Sequence, residues 1–379
     1  MKINNILIIT SIHPDFDSRI WKLCTSLVKA GCEITLICPW NIPNGKVIEG
    51  VTLLTFSKKK SRFLRLVFTP FQILHYLIPI IGKTDLVHFH DIDILPFMAL
   101  LSLLKPVVYD IHENYPEEML VRYWVPKLLR RYLFHIVRVS QNLFCQILRN
   151  IVLVTPAQLK NFKTQSLNIF YLYNYASANL LSQINDNYFQ RKDHVVFVGS
   201  CYESNGLSLF LKIARLSKSL MPNLEFSFPD RFGNNNSYRQ QVVEYIDQHN
   251  LTNTSMFPNV LPHELMSILN TATIAIAPDL RTPNRSLAIP TKLFEFMAAG
   301  LPIVSSDLPY QSELFSAFKI GILAQPENPA SFLEAIKELV HNRQYAYQLG
   351  INGRAAFSGK FNWEVQIPEL IKYYQGIVK

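Results

Sequence analysis

Residue types able to do chemistry concentrate between Ile289 and Asp307, in the stretch IPTKLFEFMAAGLPIVSSD. Pro290 closes a loop, and Thr291 is placed as the N-cap of a short helix, Lys292 to Ala299. Gly300 suits the left-handed position that ends such a helix. Leu301 and Pro302 turn the chain, and Ile303, Val304 and Ser305 read as a short buried strand. A loop feeding a helix N-terminus offers unpaired N–H groups and the positive end of the helix dipole, which suits phosphate. One turn in, Glu295 is the only acid among Leu293, Phe294, Phe296 and Met297. Its carboxylate can accept hydrogen bonds from the two hydroxyls of a ribose, or it can pair with Lys292 three residues back.

Histidines and acids gather in the first half as well, at the ends of apolar runs. Ile6 to Thr10 lead into a polar loop with Ser11, His13, Asp15, Asp17 and Arg19. Asp85 to His90 (DLVHFH) are followed by Asp91 and Asp93, and Pro106 to Ile111 (PVVYDI) by His112 and Glu113. Ligands of open parallel sheets bind at the carboxyl ends of strands. Strand alternation is read as turning His88 into the core and His90 outward. A metal site in this His/Asp cluster is disfavoured, because such sites rarely straddle a strand in this way.

These side chains need a scaffold. Strand, loop, helix (Ile20 to Lys29), Gly31 and strand (Glu33 to Cys38) form the unit of a doubly wound sheet. The pattern restarts at His194 to Gly199, followed by a polar loop and a helix from Leu207 to Leu220. No G-x-G-x-x-G occupies the first loop, so a dinucleotide is not expected there. At 379 residues, with 49% hydrophobic and 17% charged residues, the chain is sized for two packed domains and is too apolar for disorder. We place a first domain at 1–175, an irregular polar linker at about 176–192, a second domain at 193–360 and a final helical stretch at 361–379. The five cysteines show no paired or metal-ligating spacing and read as free thiols in a reducing compartment. The N-terminus reads as a first strand and not as a signal peptide.

A net charge of +9 implies an anionic partner. Lys58, Lys59, Lys60, Arg62 and Arg65 run into the apolar segment ending at Ile81, which Pro70, Pro79 and polar residues interrupt too often for a membrane span. It reads as a helix with one buried face, or as one lying in a membrane interface. Lys127, Arg131, His135 and Arg138 fall on one helical stripe among Tyr123, Trp124, Tyr132 and Phe134. Two such segments in one half favour an anionic surface as partner. No nucleic-acid recognition module is present.

The run P-x-K-L-F-E-F-M-A-A-G-L-P-I-V resembles the donor-site signature of GT-B glycosyltransferases of retaining family 4 (glycosyl transferases group 1). D-x-R-I before the first helix, and D-L-V-H-F-H-D with P-V-V-Y-D-I-H-E, resemble the same family, so the likeness covers nearly the whole chain. It implies that Glu295 holds the ribose of a nucleotide sugar while the loop before it faces the diphosphate. His112 matches the family histidine at the catalytic cleft, with Asp110 and Glu113 beside it as candidates to orient an acceptor hydroxyl. The first loop and its surroundings (His13, Asp17, Arg19, His90, Asp91) would contact the acceptor.

Two departures stand out. The family's second acid, eight positions before Glu295, is Leu287 here. The cation usual after the first donor-domain strand is replaced by Ser200, Glu203 and Asn205. Diphosphate therefore falls to Lys292, Arg285, Arg231 or Arg281, with Ser200 and Thr291 as hydrogen-bond donors.

The expected fold is α/β of GT-B type, two doubly wound Rossmann-like domains facing a central cleft. The expected activity is transfer of a sugar, with retention and without metal or cofactor, from a nucleoside diphosphate sugar of unspecified base to a lipid-linked or cell-envelope glycan. The expected location is cytoplasmic, extended by the basic segments to the inner face of a membrane. A non-catalytic nucleotide-sugar-binding subunit and a sugar-nucleotide epimerase are the alternatives.

Overall fold

A computed structural model describes residues 3–13, 17–40, 42–58, 61–121, 125–183, 187–233, 235–261, 264–282, 285 and 289–378. Asp15, Lys59, Lys60, Tyr123, Trp124 and Leu287, all invoked above, lie outside the described residues, as does the side chain of Arg62. The chain forms two units, Met1–Asn174 with Gln366–Lys379, and Tyr175–Val365. Residues 176–192, expected as a linker, group with the second unit, and the chain passes between units at Asn174–Tyr175 and Val365–Gln366.

The first unit holds β1 (Asn5–Ile9), α1 (Ser18–Lys29), β2 (Glu33–Cys38), β3 (Val47–Ile48), β4 (Val51–Thr55), α2 (Arg62–Ile80), β5 (Leu86–Phe89) and α3 (Leu95–Leu101). It continues through β6 (Val107–Ile111), α4 (Tyr115–Val121), α5 (Arg130–Leu148), β7 (Asn150–Leu153) and β8 (Asn168–Tyr171). The sheet order is β3-β4-β2-β1-β5-β6-β7-β8. Only the short β3 pairs antiparallel. Strands buried on both faces are largely apolar, and β5 and β6 are buried throughout, interrupted only by His88 and Asp110. One sheet face, with Leu7, Ile9, Val87, Phe89 and Tyr109, packs with Ile73 and Leu77 of α2, Leu95 and Met98 of α3, and Cys145 and Leu148 of α5. The alternate side chains, among them His88 and Asp110, turn to the other face.

The second unit holds β9 (His194–Val196), α6 (Leu207–Leu220), β10 (Glu225–Pro229), α7 (Asn236–Gln248), β11 (Thr254–Phe257), α8 (Leu265–Leu269) and β12 (Ile274–Ala277). Next come α9 (Thr291–Ala299), β13 (Ile303–Ser306), α10 (Pro309–Phe318), β14 (Gly321–Ala324), α11 (Pro329–His341) and α12 (Arg343–Gly359). Its order is β11-β10-β9-β12-β13-β14, all parallel. The last helix, α13 (Ile367–Ile377), belongs to the first unit.

In each sheet the strand order reverses once, between β1 and β5 in the first and between β9 and β12 in the second. Loops leaving the carboxyl ends of neighbouring strands at such a reversal diverge to opposite faces and leave a crevice. Both clusters of chemically capable residues lie on those loops.

Candidate functional site

In the second unit, the loops after β9 and β12 are tied together. Leu280 N donates to Ser204 O at 3.1 Å. Asn205 Nδ2 donates to Ser200 O at 2.6 Å, and Arg285 donates to Asn205 Oδ1. Gly206 has φ +82°, and a Cβ there would stand 1.7 Å from the carbonyl oxygen of Pro278, so no side chain fits.

Asp279, fully buried directly after β12, organises the charges. Lys292 Nζ lies 3.0 Å from its Oδ1, and Arg285 Nη1 lies 3.8 Å from the same atom. Ser306 Oγ donates to its backbone oxygen at 2.7 Å. Burial lowers the Lys292 pKa below the ordinary lysine value, with Asp279 opposing, and the ammonium also sits 5.2 Å over the Phe197 ring. One carboxylate shared by two cations leaves one positive charge at the mouth of the loops.

Helix α9 presents little else. Every residue from Lys292 to Ala299 is buried except Glu295, and Thr291 and Glu295, four apart, make the one half-buried stripe. Pro290, not Thr291, occupies the cap, and no side chain caps the helix. A proline there is compatible with its fixed φ, and as the cap residue it brings no side-chain acceptor of its own to the helix start. Gly300, at φ +67°, ends the helix as expected.

In the first unit, the loops after β1, β5 and β6 gather a denser network. Asp17 caps α1, accepting from Arg19 N and Ile20 N. Arg19 then reaches Asp110 with Nε at 3.1 Å and Nη2 at 2.9 Å, and Nη2 also donates to Leu172 O. Burial works against ionisation of Asp110, but the Arg19 guanidinium overrides it and holds the carboxyl well below the usual range. His88 Nε2, His90 Nδ1 and His112 Nε2 lie 3.4, 3.5 and 3.8 Å from Asp110 Oδ2. Tyr374, from α13, contacts His88 Nδ1 at 2.8 Å.

His90 Nδ1 and His112 Nε2 are 2.5 Å apart. Burial lowers both rings, His90 well below 6.5 and His112 to about 4, so at neutral pH both are neutral and one proton lies between them. His13 is the opposite case. Burial disfavours its charge, yet the carboxylates of Asp17 (2.9 Å) and Asp91 (3.2 Å) raise it to about 10. It stacks on His112 at 5.3 Å.

Several expectations change. His88 and His90 are both buried, with ring centroids 4.8 Å apart. Residues two apart in a strand share a face, so the alternation reading of this pair was inverted. Arg19, His90, Asp91 and Asp110 are buried and partnered by one another or by Thr10 and Ser11, so they build the cluster and do not offer free groups to an acceptor. His13, Asp17 and His112 keep partial exposure, and Glu113 is exposed. His88, His90 and Asp110 offer ligand atoms within 4.8 Å of one another. The guanidinium on that carboxylate is already its cation, which argues against a divalent ion there. Arg231 is exposed in the loop after β10, where its backbone oxygen accepts from Cys201 N; Arg281 is exposed, with its backbone N–H bound to Glu327. Ser200, half-buried, contributes its backbone carbonyl to Asn205.

The sequence reading missed Asp279 and Tyr374. Asp279 carried a signal, as the only acid in the loop from Pro278 to Ala288. Tyr374 carried none, since it meets His88 from 286 positions away.

Residues 183–356, which contain the whole β9–β12 site, match the family described as Glycosyl transferases group 1. An uncharacterized glycosyltransferase of Methanocaldococcus jannaschii is 23% identical over 180 residues, covering 48% of this chain and 47% of that relative. The match thus spans about half of the relative's length. Sucrose-phosphate synthase from Thermosynechococcus elongatus has a similar structure, with TM-score 0.77 at 14% identity over 99% of both chains. So does Anabaena HepE in complex with UDP-glucose, with TM-score 0.73 at 13% identity over 98% of this chain and 99% of that one. The chain is therefore an α/β protein of two Rossmann-like units with the GT-B fold, and its residues 183–356 carry the match to the Glycosyl transferases group 1 family.

Proposed function

We propose that this protein is a glycosyltransferase that moves a sugar from a nucleoside diphosphate sugar to a glycan or lipid-linked acceptor. The observation that carries the reading is the β9–β12 crevice. There, the N-terminus of α9, the net positive Asp279–Lys292–Arg285 group and the half-buried Glu295 all belong to one loop–helix segment. In this reading the α9 N–H groups and Arg285 hold the diphosphate, and Glu295 accepts hydrogen bonds from the ribose. Lys292, buried against Asp279, fixes the loop and contributes its charge from behind. The solved HepE complex holds UDP-glucose, which supports a nucleotide sugar as the ligand class.

The acceptor side is assigned to the first unit, at His13, Asp17, His112 and Glu113. His112, neutral at pH 7, would act through hydrogen bonds and not as a cation. The buried Arg19–Asp110 pair would hold its position through His90. Stabilisation of the leaving diphosphate then rests on helix N–H groups and on Arg285. Retention of anomeric configuration, independence of metal and a role in envelope polysaccharide synthesis follow the family resemblance.

The test is turnover. Supplied with candidate nucleotide sugars, the protein should release free nucleoside diphosphate only when a glycan or lipid-linked acceptor is added. Release without acceptor, or interconversion of the sugar itself, would point to a hydrolase or an epimerase instead.

A further inference from the structure

Helix α5 has three faces. One is buried, through Gln141, Cys145 and Leu148. A second carries Leu128 just before the helix, then Tyr132, Ile136, Val139, Leu143 and Ile147, three or four residues apart and therefore on one stripe. All six are exposed, Leu128 at 96% and Tyr132 and Val139 at 66%. The third face, beside that stripe, holds Lys127, Arg131, His135 and Arg138. From Lys127 to Arg149 the sequence contains five Lys or Arg and no Asp or Glu. A surface helix normally turns its apolar stripe inward and its charges outward. Here a second apolar stripe faces out, edged by cations alone.

The neighbouring helices repeat the pattern. α2, α3 and α5 cover the same sheet face, as their shared core shows. On the outside of that layer, Phe68, Phe71 and Ile78 of α2 are exposed, as are Leu100, Leu103 and Leu104 at the end of α3. Of the polar cluster, His88 and Asp110 turn to the opposite face of the sheet. Among the described residues, no helix is long and apolar enough to cross a membrane.

We propose that the outer wall formed by α2, α3 and α5 is a membrane-docking surface for anionic lipid, with α5 lying in the plane of the interface. The apolar stripe enters the headgroup boundary, and the exposed Lys127 and Arg131 meet lipid phosphates. Charge complementarity selects this occupant. A second copy of the chain would bring an identical cationic edge against this one, and a neutral protein partner would leave the cations without counter-charge. The inference deepens the acceptor assignment above by naming the source of the acceptor as a lipid surface, but the surface itself stands on these helices alone.

The test is flotation of the full chain with phosphatidylcholine vesicles, with and without phosphatidylglycerol, beside two variants. One is Leu128→Ser/Val139→Ser/Leu143→Ser and the other is Lys127→Glu/Arg131→Glu. All five positions are exposed and outside both clusters, and circular dichroism checks their folding. Wild type should float with the anionic vesicles and far less with the neutral ones. Each cation removed should lower partitioning about fivefold, and the serine variant should lose it by tenfold or more, with nucleotide binding unchanged in both. Failure of wild type to float with anionic vesicles, or flotation indifferent to both variants, overturns the proposal. So does a concentration-dependent dimer in sedimentation that the serine variant abolishes, since the face would then be a protein interface. Nucleotide binding is read separately, so loss of the donor-site reading would show without flotation changing.

Discussion

Arg19 grips Asp110 through two hydrogen bonds, at 2.9 and 3.1 Å, with both side chains buried. Three histidines hang from the same carboxylate, so this one ion pair positions the first unit's polar cluster. Removing one partner of a buried pair leaves the other charge uncompensated, at about 3–5 kcal/mol. Asp110→Asn should lower the urea-unfolding free energy by that order. The double variant Arg19→Met/Asp110→Leu should recover much of it. A double variant no better than the single one would show that the pair is not the unit of stability.

His13 sets a pH dependence. Its folded value of about 10 lies above its unfolded 6.5, so its stabilisation is complete below about pH 6.5 and fades as the pH rises through 10. Asp17, lowered to about 2 by His13 against the opposing effect of burial, adds stability above about pH 3.8 that is lost as the pH falls through 2. The stability difference between wild type and His13→Gln should therefore shrink from pH 6 to pH 10. A difference that stays constant over that range would remove the charge from His13.

His112 should behave in the reverse sense. Held at about 4 by burial, it should show no titration by NMR between pH 6 and 8. Because the unfolded chain takes up that proton near pH 6.5, its burial costs stability as the pH falls from 6.5 toward 4. A ring titrating near 6.5 would mean the cluster is open to water.

Arg285 and Lys292 share Asp279 but should fail differently. Arg285 is partly exposed, and Arg285→Ala should weaken nucleoside diphosphate binding about tenfold, one charged hydrogen bond, with little change in stability. Lys292→Met strands a buried Asp279 and should cost about 3–5 kcal/mol of stability as well as binding. Calorimetry beside chemical denaturation separates the two. Equal stability losses would make Arg285 a scaffold residue.

Gly206→Ala should be severe for so small a change. The added carbon would stand 1.7 Å from the Pro278 carbonyl oxygen, so the loops after β9 and β12 must part. We expect a fall of several degrees in Tm and loss of nucleotide binding, both visible in a thermal-shift titration. Retained binding would mean that the joined loops do not form the donor site.

How far the sequence was legible depends on the range of the interaction. The alternation of apolar runs and amphipathic stretches placed β2 and α6 at their observed bounds, because strand burial and helix periodicity are local signals. β3 and β4 escaped notice, as did α7 and α10, whose apolar faces are weakly patterned. Gly300 was readable as the end of α9 because a glycine after a short helical run suits the left-handed position. The partners of Lys292, Arg19 and His88 were not, since Asp279, Asp110 and Tyr374 arrive from 13, 91 and 286 positions away through sheet order. The side-by-side histidines, His88 in β5 and His90 just after it, were legible in principle, since residues two apart along an extended chain share a face.

In the proposed donor site, the β9–β12 crevice would hold a nucleoside diphosphate with Glu295 on its ribose. Calorimetry with a panel of nucleoside diphosphates and their sugars, on wild type and Glu295→Ala, tests it most directly. One nucleotide should bind in roughly the micromolar range and be weakened about tenfold or more by the substitution, as the loss of a charged hydrogen bond implies. No binding to the folded wild type, or binding that Glu295→Ala leaves unchanged, would contradict it.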